Sequence, residues 1–299
     1  MPRGIFSSRI NVGDRVVVRR RLGGLEGPET DVIGHVLSLE PLVVRPQKVG
    51  GLPSSAPAID LSGATITALR RMQPRRVRNS EIRAVERALA AAEPADTRRF
   101  DSAGGWLMSA GGPGGAIAAP LGHSASLGRV PIEEIEAFAA EAGERPRLLI
   151  PERIGRPAEA LAAAGGWALS AEEVIYSRRE PPAEEPRPIP GLRLSARRAE
   201  PDRRAAVDAA GRTPAEATLV AGGEEAGPAL VVRVLPAPAG HPSGGDGASA
   251  AAADALARWG AARGAELVVA AAGAGSREGD ALRAAGFGEH HRRRVATAR

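Results

Sequence analysis

The sequence predicts an α+β protein: a small all-β barrel at the N terminus, then two copies of one mixed α/β unit. Three observations carry that reading. Residues 12–71 break into five short β-rich runs separated by turn residues. Downstream, the order helix, Gly, strand, helix, Gly occurs twice at an offset of about 120 residues. Between the copies lies Pro181-Pro-Ala-Glu-Glu-Pro-Arg-Pro-Ile-Pro190, where proline fixes the backbone and removes donors, so neither a helix nor a central strand can form. The expected units are residues 1–75, 80–180 and 190–299.

In the first unit the expected strands are Arg15–Arg19, Asp31–Leu39, Leu42–Arg45, Ala58–Leu61 and Ala64–Leu69, with a bulge or bend at Gly34. No Tyr or Trp lies in this segment, which disfavours an aromatic groove for proline-rich peptides. Gln73-Pro-Arg-Arg-Val-Arg78 reads as a solvated connector. Ser80 then caps a helix to about Ala92, with Ile82, Val85 and Leu89 as its apolar stripe.

The first α/β copy comprises a helix over Ile132–Ala142 ended by Gly143, a strand at Arg147–Ile150, a helix over Ala158–Ala164, and a strand at Glu173–Tyr176 after Gly165-Gly166. In the second, Ala229–Leu235 is a strand and Ala250–Ala262 a helix closed by Gly264, with Asp254 four residues before Arg258. Glu266–Ala272 is a buried strand, Ser276 caps a last helix that ends at Gly286, and Glu289–Arg294 is an edge strand or basic tail. Phe138 aligns with Trp259, Gly143 with Gly264, Leu161 with Leu282 and Gly165 with Gly286. Trp259 and Phe287 are expected core anchors.

Composition narrows the chemistry. With eight aromatic residues among 299, the core must be built from Ala, Val and Leu. The chain has no cysteine, which excludes a disulfide, a thiolate zinc site and a cysteine nucleophile. Its five histidines, His35, His123, His241, His290 and His291, lack metal-site spacing, so no metal is expected. No G-x-S-x-G elbow is present. No apolar run approaches the roughly 20 residues that span a bilayer, and no leader is visible, so a cytoplasmic protein without a membrane partner is expected. The net charge of +5 fits a solvated surface or a phosphate-bearing partner, with nucleic acid disfavoured.

Leu256-Ala-Arg-Trp-Gly-Ala-Ala-Arg-Gly264 and Gly286-Phe-Gly-Glu-His-His291 resemble the C-terminal half of GCN5-related N-acetyltransferases (GNAT). Residues 12–90 resemble the SH3-like N-terminal domain of one actinobacterial branch of that family. The resemblance implies an SH3-like barrel followed by tandem GNAT-like units, the first without a phosphate cradle. It implies acetyl-CoA as co-substrate, its pyrophosphate held by main-chain amides of Gly244, Gly245, Gly247, Ala248 and Ser249 ahead of a helix starting near Ser249. A flexible linker explains the same glycines. Val232, Arg233 and Val234 are implied as the strand beside the pantetheine arm, with an N–H there polarising the thioester carbonyl. The acceptor would be an amine on a small molecule or a protein.

Three departures from the motif are visible. Its basic residue is absent, its asparagine falls near Gly275, and Leu282 occupies the position of the tyrosine that reprotonates the departing thiolate. Asp246 adds negative charge where phosphate would lie. A catalytically inactive binding or regulatory protein of the same shape is the alternative. His241 is a general-base or phosphate-contact candidate, whereas His290 and His291 read as structural or surface residues.

Overall fold

The computed structural model describes residues 10–22, 27–47, 51, 54, 56–72, 77–125, 128–179, 189–197, 200–221, 227–236 and 245–299. The chain divides into two compact units, Met1–Arg76 and Val77–Arg299.

In the first unit β1 (Arg15–Arg21), β2 (Glu29–Leu39), β3 (Leu42–Pro46), β4 (Ile59–Asp60) and β5 (Thr65–Arg71) form an antiparallel sheet in the order β4-β3-β2-β1-β5. Strand alternation turns Val16, Val18, Val32, Val36 and Val44 inward, where they meet Leu61 and Leu69. Two expectations need correction. Among the described residues β4 and β5 do not pair, so the ladder is an open sheet and not a closed barrel. The register shift lies at Val36/Ser38 and not at Gly34, where a Cβ would stand 2.0 Å from the Arg45 carbonyl oxygen. Gly34 permits close backbone approach.

The second unit opens with α1 (Asn79–Ala92), whose N-cap is Arg78, two residues ahead of the expected Ser80. The Glu81 carboxylate accepts the Arg78 backbone N–H at 2.8 Å. The first copy follows: β6 (Thr97–Phe100), β7 (Leu107–Ala110), β8 (Ile117–Ala119), α2 (Ile132–Glu141), β9 (Arg147–Pro151), α3 (Arg156–Ala163), β10 (Trp167–Leu169) and β11 (Glu173–Arg179). The second is β12 (Leu192–Arg197), β13 (Glu200–Asp208), β14 (Ala215–Val220), β15 (Ala229–Val234), α4 (Gly245–Ala261), β16 (Leu267–Gly273), α5 (Arg277–Ala284) and β17 (Gly288–Ala298).

All these strands join one sheet, in the order β12-β13-β14-β15-β16-β11-β17-β9-β8-β7-β6, with β10 beside β17. Among the described residues only β8/β9 and β15/β16 pair in parallel, and they are equivalent pairs in the two copies. The copies exchange their last strands: β11 pairs with β16 of the second copy, and β17 with β9 of the first. At the centre Glu173 faces Arg293, one repeat length away, so an approximate two-fold relates the halves. Each core therefore contains residues of the other copy, Val174 and Tyr176 in the second and Ala296 in the first.

The positive-φ terminators recur too, at Gly143 and Gly264, both left-handed as expected. The exchange overturns the edge-strand or tail reading of Glu289–Arg294, because β17 lies between β11 and β9 in the sheet interior. Its charges are tolerated there because Glu86, Glu172 and Glu173 pair with them.

Helix α1 precedes the first copy in sequence but covers the second. Its Val85, Ala88 and Leu89 pack on Ile175, Val220, Ala229 and Val269. Strands β12 and β13 are joined too tightly to supply a helix of their own, so α1 completes the layer on that face. The opposite face carries α4 and α5, seated on Leu230, Val232, Val268 and Ala270.

Candidate functional site

The site is built where β15 leaves β16. Their parallel pairing runs from Ala229↔Leu267 to Val232↔Ala270 and stops, while β15 stays paired with β14 through Val234. The Leu235 N–H donates to the Pro214 carbonyl on the β14 side. Because successive residues of a strand point their polar groups to opposite neighbours, the Val234 N–H faces the side from which β16 has departed. A main-chain donor thus lies at the mouth of a gap.

Beneath the gap, on the α1 face, a cleft of about 250 Å3 extends past Val231, Arg233 and Ala271 as far as the Gly112–Gly115 loop. Strand alternation explains its lining. Glu173, Arg293 and Arg147 stand on the α1 face of β11, β17 and β9, as do the buried Ile175 and Leu149 and the partly buried Val295.

Its centre is a charge network around Glu86, whose side chain is fully buried on α1. One carboxylate oxygen is 2.8 Å from Nε2 of His291, and the other accepts from Arg293 at 2.7 Å. Arg293 Nε also donates to Glu173 at 2.8 Å. His290 and His291 approach through their Nδ1 atoms at 2.7 Å. Burial alone would push the Glu86 carboxyl up, yet the Arg293 charge and hydrogen bonds from His291 and Arg293 outweigh it and hold it below the ordinary value. Burial correspondingly works against the Arg293 charge, and Glu86 and Glu173 more than restore it. His291 is 4% exposed and serves as a buried strut.

Helix α4 begins at Gly245, four residues before the expected start near Ser249. That shift relocates the donors. The four N–H groups without an intrahelical acceptor are those of Gly245, Asp246, Gly247 and Ala248, while Ser249 falls in the second turn. Gly244 and His241 lie outside the described residues. A Cβ on Gly247 would meet nothing within 4 Å, so packing does not require glycine there. Arg233 is half-exposed and tied to Glu93 at 2.5 Å and Glu216 at 3.8 Å.

Leu282 is fully buried among Ala281, Phe287 and Trp259. The chain's single tyrosine, Tyr176, reaches the same helix from β11, its hydroxyl accepting from Arg283 at 2.9 Å. Burial pushes the Tyr176 phenol up. A Cβ on Gly279 would stand 2.7 Å from that hydroxyl. Gly279→Ala is therefore expected to destabilise the protein by about 1–3 kcal/mol through overpacking. Tyr176→Phe in the same chain should recover most of that in thermal melts, and no recovery would place the strain elsewhere.

The equivalent mouth in the first copy is arranged differently. Arg83 and Arg87 of α1 donate to the carbonyls of His123 and Leu121 in the loop after β8. These contacts place guanidiniums bound to main-chain carbonyls where the second copy has the first turn of α4. Ser276 caps α5 as expected, accepting from Gly279 at 3.2 Å. Asp254 pairs with Arg258 and also with Arg178. Among the described residues no cluster of three His, Asp or Glu could hold a metal, and no helix is long and apolar enough to cross a membrane.

Glu86, Glu173, Arg293, Arg147 and Arg98 did not emerge as site candidates from the sequence. A signal existed for one of them: Glu86 stands beside Val85 and four residues after Ile82, inside the apolar stripe of α1. The rest depend on which strands the chain brings together.

Comparison with known proteins adds a family. Residues 79–224 match the family described as "Probable histone acetyltransferase Rv0428c C-terminal", and residues 10–51 match "Rv0428c N-terminal Sm-like domain". The curated "Probable histone acetyltransferase Rv0428c" of Mycobacterium tuberculosis (strain ATCC 25618 / H37Rv) is 36% identical over 148 residues, 48% of this chain and 45% of that protein. The chain spans about half the length of the curated relative it matches. Among solved structures, a GCN5-related N-acetyltransferase from Kribbella flavida aligns over 73% of this chain and 95% of its own, with 13% identity and a TM-score of 0.48. A tandem GNAT protein from the clavulanic acid biosynthesis pathway aligns over 71% and 85%, with 16% identity and a TM-score of 0.43.

Proposed function

We propose that this chain, which matches the Rv0428c family over residues 10–51 and 79–224, transfers an acetyl group from acetyl-CoA to an amine through its second copy. The observation that carries this reading is the parting of β15 from β16 after Val232, with the Val234 N–H facing the gap above a cleft lined in part by charged residues. The residues present fit the co-substrate. Val232, Arg233 and Val234 would flank the pantetheine arm, and the first-turn amides of α4, Gly245 to Ala248, would hold the pyrophosphate at a positive helix end. The donor supplies an activated thioester.

The Val234 amide would polarise its carbonyl, while the cleft presents the acceptor nitrogen from the α1 face. As a C–N bond forms, the C–S bond breaks and the amine proton leaves through Glu173 or water. No hydroxyl stands at Leu282 to return a proton to the thiolate, so solvent would supply it. Catalysis of this kind rests on positioning. We assign residues 1–75 to an SH3-like or Sm-like module and residues 80–180 and 190–299 to tandem GNAT-like units, with a cytoplasmic setting.

A binding protein without turnover is the second reading, and the fully buried Leu282 at the tyrosine position favours it. Calorimetry and thermal melts with acetyl-CoA separate the outcomes. Saturation at about 100 times Kd should stabilise the protein by about 2.7 kcal/mol. Gly247→Asp places a carboxylate among the donor amides and is expected to abolish binding. An acid at a helix start favours the helix, so lost folding would not explain that result. Absence of heat and shift at millimolar ligand ends the acetyltransferase reading, and binding without acetyl transfer to any amine likewise leaves only the second.

A further inference from the structure

The cleft under α1 carries an asymmetry of charge that identifies its occupant. Three carboxylates, Glu86, Glu93 and Glu173, line it against four guanidiniums, Arg98, Arg147, Arg233 and Arg293. Arg293 is held by Glu86 and Glu173, and Arg233 by Glu93. The other two are spent on main-chain oxygens. Arg147 donates to the Gly114 carbonyl, and Arg98 to the carbonyls of Ala90 and Glu93 at the end of α1. Among the described residues neither has a carboxylate within ion-pair distance. Glu144, which approaches Gly115, is not part of the cleft wall.

Both uncompensated cations lie at the first-copy end of the cleft, on β6 and β9, away from the β15/β16 gap. One strand, β17, lies between Glu173 on β11 and Arg147 on β9, so the two stand two interstrand spacings apart. At about 4.8 Å per strand, plus the run along β9 from Pro151, level with Arg293 and Glu173, to Arg147, the two Cα atoms stand roughly 17 Å apart, a span that the inward reach of the two side chains narrows to that of a small molecule with charges at two ends. A guanidinium is well matched to a carboxylate, which it can engage through two parallel hydrogen bonds.

We propose that this cleft binds a small amine that also carries a carboxylate, with the anionic group on Arg98 and Arg147 and the nitrogen toward Glu173. Resting on the acetyl-transfer reading, that molecule is the acceptor. A lysine-rich protein tail is the wrong occupant, because it would bring further positive charge beside Arg98 and Arg147, which no carboxylate among the described residues offsets.

Two measurements test the assignment. In the first, without coenzyme, the full chain is titrated by calorimetry with γ-aminobutyrate, glutamate, butylamine, phosphoethanolamine and a lysine-rich peptide. A carboxylated amine is expected to bind at least tenfold more tightly than butylamine, and Arg147→Gln and Arg98→Gln should each remove most of that preference. In the second, acetyl transfer to the same panel is followed. The carboxylated amines should lead in kcat/KM, and Arg147→Gln should raise their KM with the acetyl-CoA Kd unchanged. Preference for phosphoethanolamine, butylamine or the lysine-rich peptide overturns the proposal, as does an Arg147→Gln chain that binds like the original. Binding of the carboxylated amine without transfer upholds the site and removes the acetyltransferase reading, so the two failures are distinct.

Discussion

Glu86→Ala is expected to be among the most destabilising single substitutions in the second unit. Its carboxylate is fully buried and engages His291 and Arg293 at once, and Arg293 itself is only 16% exposed. Removing one partner of a buried charge pair leaves the other desolvated, at about 3–5 kcal/mol. For a unit of this size that corresponds to a fall in Tm of roughly 6–20 °C. A second chain, with Glu86→Leu and Arg293→Met together, should recover much of the loss, since replacing a whole buried pair by apolar groups is often neutral. A double variant as unstable as the two singles summed would refute charge burial as the cause.

Acid offers an independent readout of the same group. The folded Glu86 carboxyl titrates below its ordinary value of 4.5, so its contribution is fully present above that value and is lost as pH falls through the folded pKa. Melts of the native chain should therefore drop steeply below about pH 4.5, and those of the double variant less so.

The same network shows what a sequence can and cannot reveal. The strands and helices were legible where each satisfied one local rule, such as the valine alternation of β1 or the Gly143 and Gly264 terminators. The 120-residue repeat was legible as well, because equivalent positions carry equivalent roles in two separate cores. What local pattern could not supply was the exchange of β11 and β17, a choice of partner strand between two equally matched halves. A run of arginines and histidines reads as a solvated tail until Glu86, some two hundred residues earlier, is placed beneath it.

The start of α4 was misjudged for a related reason. Gly244-Gly245-Asp246-Gly247 has low intrinsic helix propensity, yet the helix extends back through it to Gly245. Residues Ala252, Ala253, Leu256 and Ala257 are buried and fix the helix against the sheet, so the first turn propagates from a packed body at small further cost. Tertiary packing outweighed composition, and the free donors moved with the helix start.

Val234→Pro is expected to separate chemistry from folding more sharply than any other change. Proline removes the N–H that faces the gap, and the ladder loses nothing, because β15 bonds to β14 through the flanking residues and β16 has already parted. Arg233 is already extended, as a residue before proline prefers to be. If this amide polarises the thioester carbonyl, kcat should fall by about 10²–10³-fold, the range found when one oxyanion donor is removed. Acetyl-CoA should still bind within a few-fold of the original affinity, since the α4 amides are untouched. Val234→Ala keeps the N–H and trims only the side chain, so its activity should stay within about tenfold of the original, and the contrast between the two variants assigns the effect to the amide. Turnover by the proline variant close to that of the alanine variant would show that the carbonyl is polarised elsewhere, and the gap between β15 and β16 would then be an entry path without a catalytic donor.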